Sequence, residues 1–192
     1  MFANEIQEKE ILTYFSWIEV MVKNNNDFAY TDLNISLETF ILRLLKIVRL
    51  GNYENCNIKK INYPSIDLID EHKKTGIQIT SECTANKIKK TLKNKQEYKI
   101  KFFLLNSNYK PKKNTFIDYP NFSVSDDIFN FKTIMFQLKK MHSTKIYNDV
   151  ISFLEDNIVI PVSMQKFEKE MDGYSDYQQK IILKDMFKTF AR

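Results

Sequence analysis

Between residues 65 and 105 the spacing of apolar side chains changes, and that change of period limits the folds open to this chain. Over most of the chain outside the stretch they recur every three or four positions, as an amphipathic helix requires; inside it, short β-branched and aromatic runs stand on both sides of one further helical segment. Over residues 5–23, Ile11, Phe15, Ile18 and Val22 form one stripe with Trp17 near it, and Asn24–Asp27 reads as the loop that ends the helix. A second helix is expected over 35–50. Asn34 or Ser36 would cap it, Leu37, Phe40, Ile41, Leu44, Leu45 and Val48 line its buried face, and Gly51-Asn52 would stop it. Residues 58–63 suggest a strand closed by Pro64. Ser65–Asp70 and Gly76–Thr80, joined by the polar turn Glu71–Thr75, read as a hairpin. A helix over 84–98 with Ile88 and Leu92 inward, a buried strand over 100–105 and another over 116–124 follow. Helices over 126–141 and 143–156, capped by Asp126 and Ser143, come next, and helix again beyond Pro161 with a break near Gly173.

The fold class expected is α/β (α+β), with a mixed core and N-terminal helices over 1–125 and a C-terminal helical extension over 126–192 packing on it. At 192 residues the chain can bury a full core, and three glycines and four prolines exclude turn-dense all-β folds. Cys56 and Cys83 with two histidines, His72 and His142, exclude a disulfide framework and argue against structural zinc. The reduced cytoplasm is the expected location: no secretory leader opens the sequence, and no apolar run approaches the roughly 20 residues of a membrane span.

Helix, three-stranded meander, crossover helix and fourth strand make up the αβββαβ core of the PD-(D/E)XK, restriction-endonuclease-like nucleases. Cleavage of a phosphodiester with a divalent metal needs hard oxygen ligands and a cation near the attacking water. Ile66-Asp67-Leu68-Ile69 followed by Ile77-Gln78-Ile79-Thr80 resembles the Mrr-type and Holliday-junction-resolvase variant, in which Asp-Leu-Ile precedes Gln-x-Lys. The resemblance implies Asp67 as the anchoring ligand of Mg²⁺ or Mn²⁺. Gln78 would offer its side-chain carbonyl, or mark the strand whose backbone carbonyl binds. Glu38 would be a further acid from the preceding helix. Thr80 stands where that variant has its lysine, and Lys87 or Lys90 on the next helix would have to supply the cation. Otherwise the site is inactive.

A closer resemblance covers residues 14–103. Asn62-Tyr63-Pro64-Ser65-Ile66-Asp67-Leu68, Gln78-Ile79-Thr80-Ser81 and Lys87-Ile88-Lys89-Lys90-Thr91-Leu92, with Leu33-Asn34-Ile35 and Glu38 upstream, resemble the SMEK domain. The family usually continues Asp-Leu-Gly-Asp where this chain has Asp67-Leu68-Ile69-Asp70. The resemblance implies a bacterial or phage-borne protein and a part in defence against phage.

Each of these residues also has an ordinary structural role open to it. Asp67 can cap a turn or pair with Lys73, although a carboxylate in a buried strand needs a partner to offset its desolvation. Glu38 can simply favour the helix dipole, and Thr80 and Ser81 can close a strand. From Lys87 to Lys113 there are ten lysines and one acid, Glu97. The basic ridge that includes Lys87, Lys89, Lys90, Lys93 and Lys95 suits a polyanion, with DNA favoured over RNA, or is a solvated face. Phe167, Met171, Tyr174, Tyr177, Ile181, Met186, Phe187 and Phe190 give the tail apolar bulk that either packs back or binds a protein partner or a second copy. Three functions compete: a metal-dependent nuclease, a degenerate nucleic-acid-binding module, and a scaffold subunit of a defence assembly.

Overall fold

The computed structural model describes residues 3–27, 32–56, 65–93, 97–106, 109–112 and 114–158. In chain order the elements are α1 (Ala3–Asp27), α2 (Asp32–Ile47), β1 (Glu54–Asn55), β2 (Leu68–Asp70), β3 (Thr75–Thr80), α3 (Ala85–Lys93) and β4 (Lys99–Leu104). The short α4 (Val124–Asp127), β5 (Ile128–Phe129), α5 (Phe131–Met141) and α6 (Thr144–Asn157) complete them. The fold is mixed α/β. Its five-stranded sheet has the order β1-β2-β3-β4-β5, antiparallel as far as β3 and parallel from β3 through β5. Among the described residues no helix is long and apolar enough to cross a membrane. The expected strand at 58–63 and the helices beyond Pro161 lie outside the described residues.

Register sorts the strand residues into two faces. Gln78 pairs with Phe102 and Thr80 with Leu104, so both share the face on which Ile69, Ile100, Phe102 and Leu104 pack with Ile88 of α3. Ile77, Ile79 and Phe103 take the other face. There Phe103 meets Phe131 of α5 edge-on, with ring centres 5.5 Å apart, and Phe131 stacks on Phe15 of α1 at 4.6 Å. Glu8 ties three helices together. It accepts from the Tyr147 hydroxyl of α6 (2.9 Å) and pairs with Lys139 of α5 (2.9 Å). Burial and the Glu8 hydrogen bond push the Tyr147 phenol up to about 12.

The α1 stripe is buried as expected, but the helix continues through Asn24–Asp27. Asn and Asp cost only about 0.7 kcal/mol each in a helix, too little to stop one already propagating. Arg49, rather than Gly51, turns the end of α2. It sits at φ 55° while its N–H reaches the Lys46 carbonyl (3.2 Å) and the Leu50 N–H reaches that of Leu45 (2.9 Å), a Schellman closure. A left-handed arginine carries a strain of about 1–2 kcal/mol that glycine would not. Gly51, at φ 146°, lies so close to the Tyr53 ring that a Cβ would come within 2.2 Å of it. The helix that ends at Lys93 is shorter than the expected 84–98, because Lys99 already pairs in β4.

Residues 116–124 do not form a strand. Phe116, Tyr119 and Phe122 recur every third residue through consecutive turns, with the Tyr119 N–H on the Phe116 carbonyl (3.0 Å) and the Phe122 N–H on the Tyr119 carbonyl (2.9 Å). Their rings cover the α3 face of the sheet. Asp126 caps nothing at the start of α5. Asn130 does, accepting the Thr133 N–H (3.0 Å) while the Thr133 hydroxyl takes the Asn130 N–H (3.3 Å). Ser143 does cap α6, through the Ile146 N–H (3.5 Å).

This difference in caps is directly measurable. Asn130→Ala should lower stability in chemical denaturation by about 1 kcal/mol, and Asp126→Ala should change it by less than about half of that.

Candidate functional site

The carboxyl ends of β3 and β4 open into a cleft of ≈ 330 Å³. Leu37 and Glu38 of α2 form one wall and Lys87, in the first turn of α3, the other. Ile79, Thr80, Ser81, Glu82 and Leu105 form the floor and lip. Clefts at strand carboxyl ends are where α/β sheets commonly hold ligands, because the crossing helices splay apart there. Thr84 starts α3 by accepting the Lys87 N–H on its hydroxyl (3.2 Å), which sets Lys87 at the cleft edge.

Asp67 lies where β2 begins. Its own N–H reaches the Ile77 carbonyl (2.9 Å), and its Oδ2 accepts the Ile79 N–H at 2.6 Å. The carboxylate thus takes the place of the next backbone acceptor on β2. Burial raises the Asp67 carboxyl above its ordinary value, against the lowering effects of the Ile79 N–H and the Lys87 ammonium. The carboxylate therefore lies within the field of Lys87, beside a strand residue that lines the cleft.

Gln78 takes a different part. Its Oε1 accepts the Thr91 hydroxyl at 2.7 Å beneath α3, and both residues are buried. The side-chain carbonyl is committed to fastening α3 to the sheet. Thr91 lies one turn beyond Lys87, so this bond also steadies the helix that presents Lys87. Thr80 accepts the Glu82 N–H (3.1 Å), closing the strand as well as lining the cleft.

The structure therefore places Glu38, Thr80 and Lys87 on one cleft with Asp67 beside it, and Gln78 under the helix. Sequence reasoning missed Glu82 on the cleft lip and Thr91 behind it. A polar residue three positions from Ile88, on the buried stripe of α3, was the available sign of Thr91. Among the described residues no three acids, histidines or cysteines converge as a ready-made metal cage. Mg²⁺ does not require one, since it commonly keeps its waters and binds through one or two carboxylates and substrate phosphates. Asp67 and Glu38 are donors of that kind.

The lysine-rich stretch divides in space. Lys90 and Lys93 stand exposed on α3 and Lys89 is half-buried beside them, while Lys95 lies outside the described residues. Lys99 and Lys101 alternate with Ile100 and Phe102 and so emerge on the opposite face of the sheet. There Lys99 pairs with the buried Asp127 (2.9 Å) and Lys101 sits 5.1 Å from the Phe129 ring centre.

The model of the SMEK domain matches residues 10–139, more than half of the chain. The chain belongs to the SMEK domain family. The SMEK match runs past the sheet into α5, so the domain takes in both cleft walls and the helix that carries Phe131. No curated protein and no solved structure matches the chain.

Two expectations follow for Asp67. Asp67→Ala leaves the Ile79 N–H without its acceptor and should cost about 1–3 kcal/mol, whereas Asp67→Asn, which keeps a carbonyl there, should fold normally. The folded carboxyl holds its proton more tightly than the unfolded one, so its influence is most favourable below the unfolded value, near ~3.9, and is lost as pH rises through the raised folded value. Denaturation midpoints followed from acid to neutral pH should show that loss in the wild type and a flatter profile in Asp67→Asn.

Proposed function

We propose that this SMEK-domain protein is a metal-dependent nuclease that hydrolyses phosphodiester bonds of nucleic acid, DNA before RNA. The observation that carries the reading is Asp67: a half-buried carboxylate, held by the Ile79 N–H and within the field of Lys87, beside a cleft that also takes Glu38. The order α2, antiparallel β1-β2-β3, crossover α3 and parallel β4 supports a restriction-endonuclease-like core. The proposed setting, bacterial defence against phage, rests on the family resemblance.

Asp67 and Glu38 would hold Mg²⁺ or Mn²⁺, which when bound supplies charge neutralisation at the phosphate and an activated water. Lys87 takes the part of the lysine absent at Thr80, placing its ammonium where charge develops on the scissile phosphate. Gln78 positions rather than ligates, by fixing α3 through Thr91. Lys90 and Lys93, exposed on α3 with no ion-pair partner among the described residues, attract the backbone without reading sequence.

A second reading has its own observation. Because Gln78 is spent on Thr91 and Thr80 replaces the lysine, the same surface also suits a module that binds nucleic acid without cutting it.

Cleavage assays with Mg²⁺ and with Mn²⁺ separate the two. The nuclease reading expects metal-dependent cleavage abolished in Asp67→Asn with folding retained. Binding without cleavage in either metal would establish the module instead. Lys87→Ala should lower turnover by about 10²-fold or more with affinity largely kept. Lys90→Ala and Lys93→Ala should weaken binding of every sequence and each reduce the salt dependence of log affinity by up to about one unit. If Lys87→Ala instead behaves like Lys90→Ala, Lys87 is a binding residue and the catalytic assignment fails.

A further inference from the structure

A shallow concavity open to solvent lies at the other end of α2, lined by Lys46, Arg49, Leu50, Gly51, Asn52 and Lys73. Three of its six residues are cations and none is an acid, and none of the three cations has an ion-pair partner among the described residues. Lys46 and Arg49 would both complement the carboxyl end of a helix. That does not account for Lys73, which arrives from the β2–β3 turn and is set there by its own N–H on the Asp70 carboxylate (3.0 Å). Nor does it account for an arginine at φ 55°, where glycine would close α2 without strain. Among the described residues Ser65, Lys74 and His142 also take positive φ, and Arg49 is the one of the four that lines this concavity.

We infer that this concavity is a subsite for a backbone phosphate of nucleic acid, held by the Arg49 guanidinium and the Lys46 and Lys73 ammonium groups. The inference deepens the nuclease reading and rests on it. Lys46 lies eight residues from Glu38 along α2, about 12 Å at 1.5 Å per residue. A duplex engaged at the cleft would therefore be gripped a few base pairs from the bond to be cut, in addition to the α3 lysines. A guanidinium fork suits phosphate oxygens in a way that a lone ammonium does not.

The test is binding of a fluorescein-labelled 20-base-pair DNA duplex to the full chain in EDTA, followed by anisotropy over a range of salt. Arg49→Gly and Lys73→Ala should each weaken binding about three- to tenfold and lower the salt slope by up to about one unit. The unfolding midpoint of Arg49→Gly should not fall, because glycine relieves the strained turn; a loss of binding is then not a loss of fold. Unchanged affinity and slope in both variants, with Lys90→Ala weakened, overturns the subsite and leaves the nuclease reading standing. No binding by the wild type overturns the subsite, and the nuclease reading is then decided by the cleavage assays with metal. Inorganic tripolyphosphate that binds the wild type but not Arg49→Gly, with duplex affinity equal in the two, assigns a free phosphoanion and overturns the backbone assignment.

Discussion

Because β3 and β4 run parallel, with Thr75 opposite Lys99 and Thr80 opposite Leu104, the chain between them must travel back the length of the sheet, and α3 is that return. The rest of the site depends on this crossover. It places the first turn of α3 at the carboxyl end of β3, and so puts Lys87 across from Glu38. It also buries the face that carries Gln78, and a buried amide needs a partner. Thr91 supplies one, and the hydrogen bond locks the helix whose opening turn borders the cleft.

Asp67 shows why the edge of β2 is unusual. A carboxylate leaving water loses several kcal/mol of hydration unless hydrogen bonds or opposite charge replace it. Here a backbone N–H replaces part and Lys87 acts from across the strand end, yet burial still dominates and the carboxyl stays above its ordinary value. Such a group holds an otherwise unmatched strand N–H while remaining charge-sensitive, the condition in which a carboxylate can serve both structure and chemistry.

The hairpin, the crossover helix and the strand over 100–105 were legible because their apolar periods are clean and a polar turn lies between the first two strands. The stretch 116–124 misled because aromatic residues suit a strand and a turn-rich cover equally; the spacing of three at Phe116, Tyr119 and Phe122 was the distinguishing sign. The cap of α5 was misplaced because Asp126 and Asn130 are both good caps by residue type. Only the chain path, which draws Val124–Asp127 into its own short helix, leaves Asn130 extended and free to receive Thr133.

Within the candidate site, Asp67, Glu38 and Lys87 were singled out by the family resemblance of the strand pair and the helix after it, while residue type alone left each an ordinary structural role as well. Which of them meet was not readable. Alternation put Gln78 two residues from Thr80 and said that they share a face, but not that α3 would cover that face and engage the amide. Ten lysines within 27 residues looked like one ridge. The strand period sends Lys99 and Lys101 to the far side of the sheet, where Asp127 and Phe129 engage them, and leaves the exposed Lys90 and Lys93 on α3. Local sequence determines period, cap chemistry and the supply of charge, because these depend on neighbours in the chain. Tertiary structure decides partnership, because a buried polar group takes whichever donor the fold brings within reach.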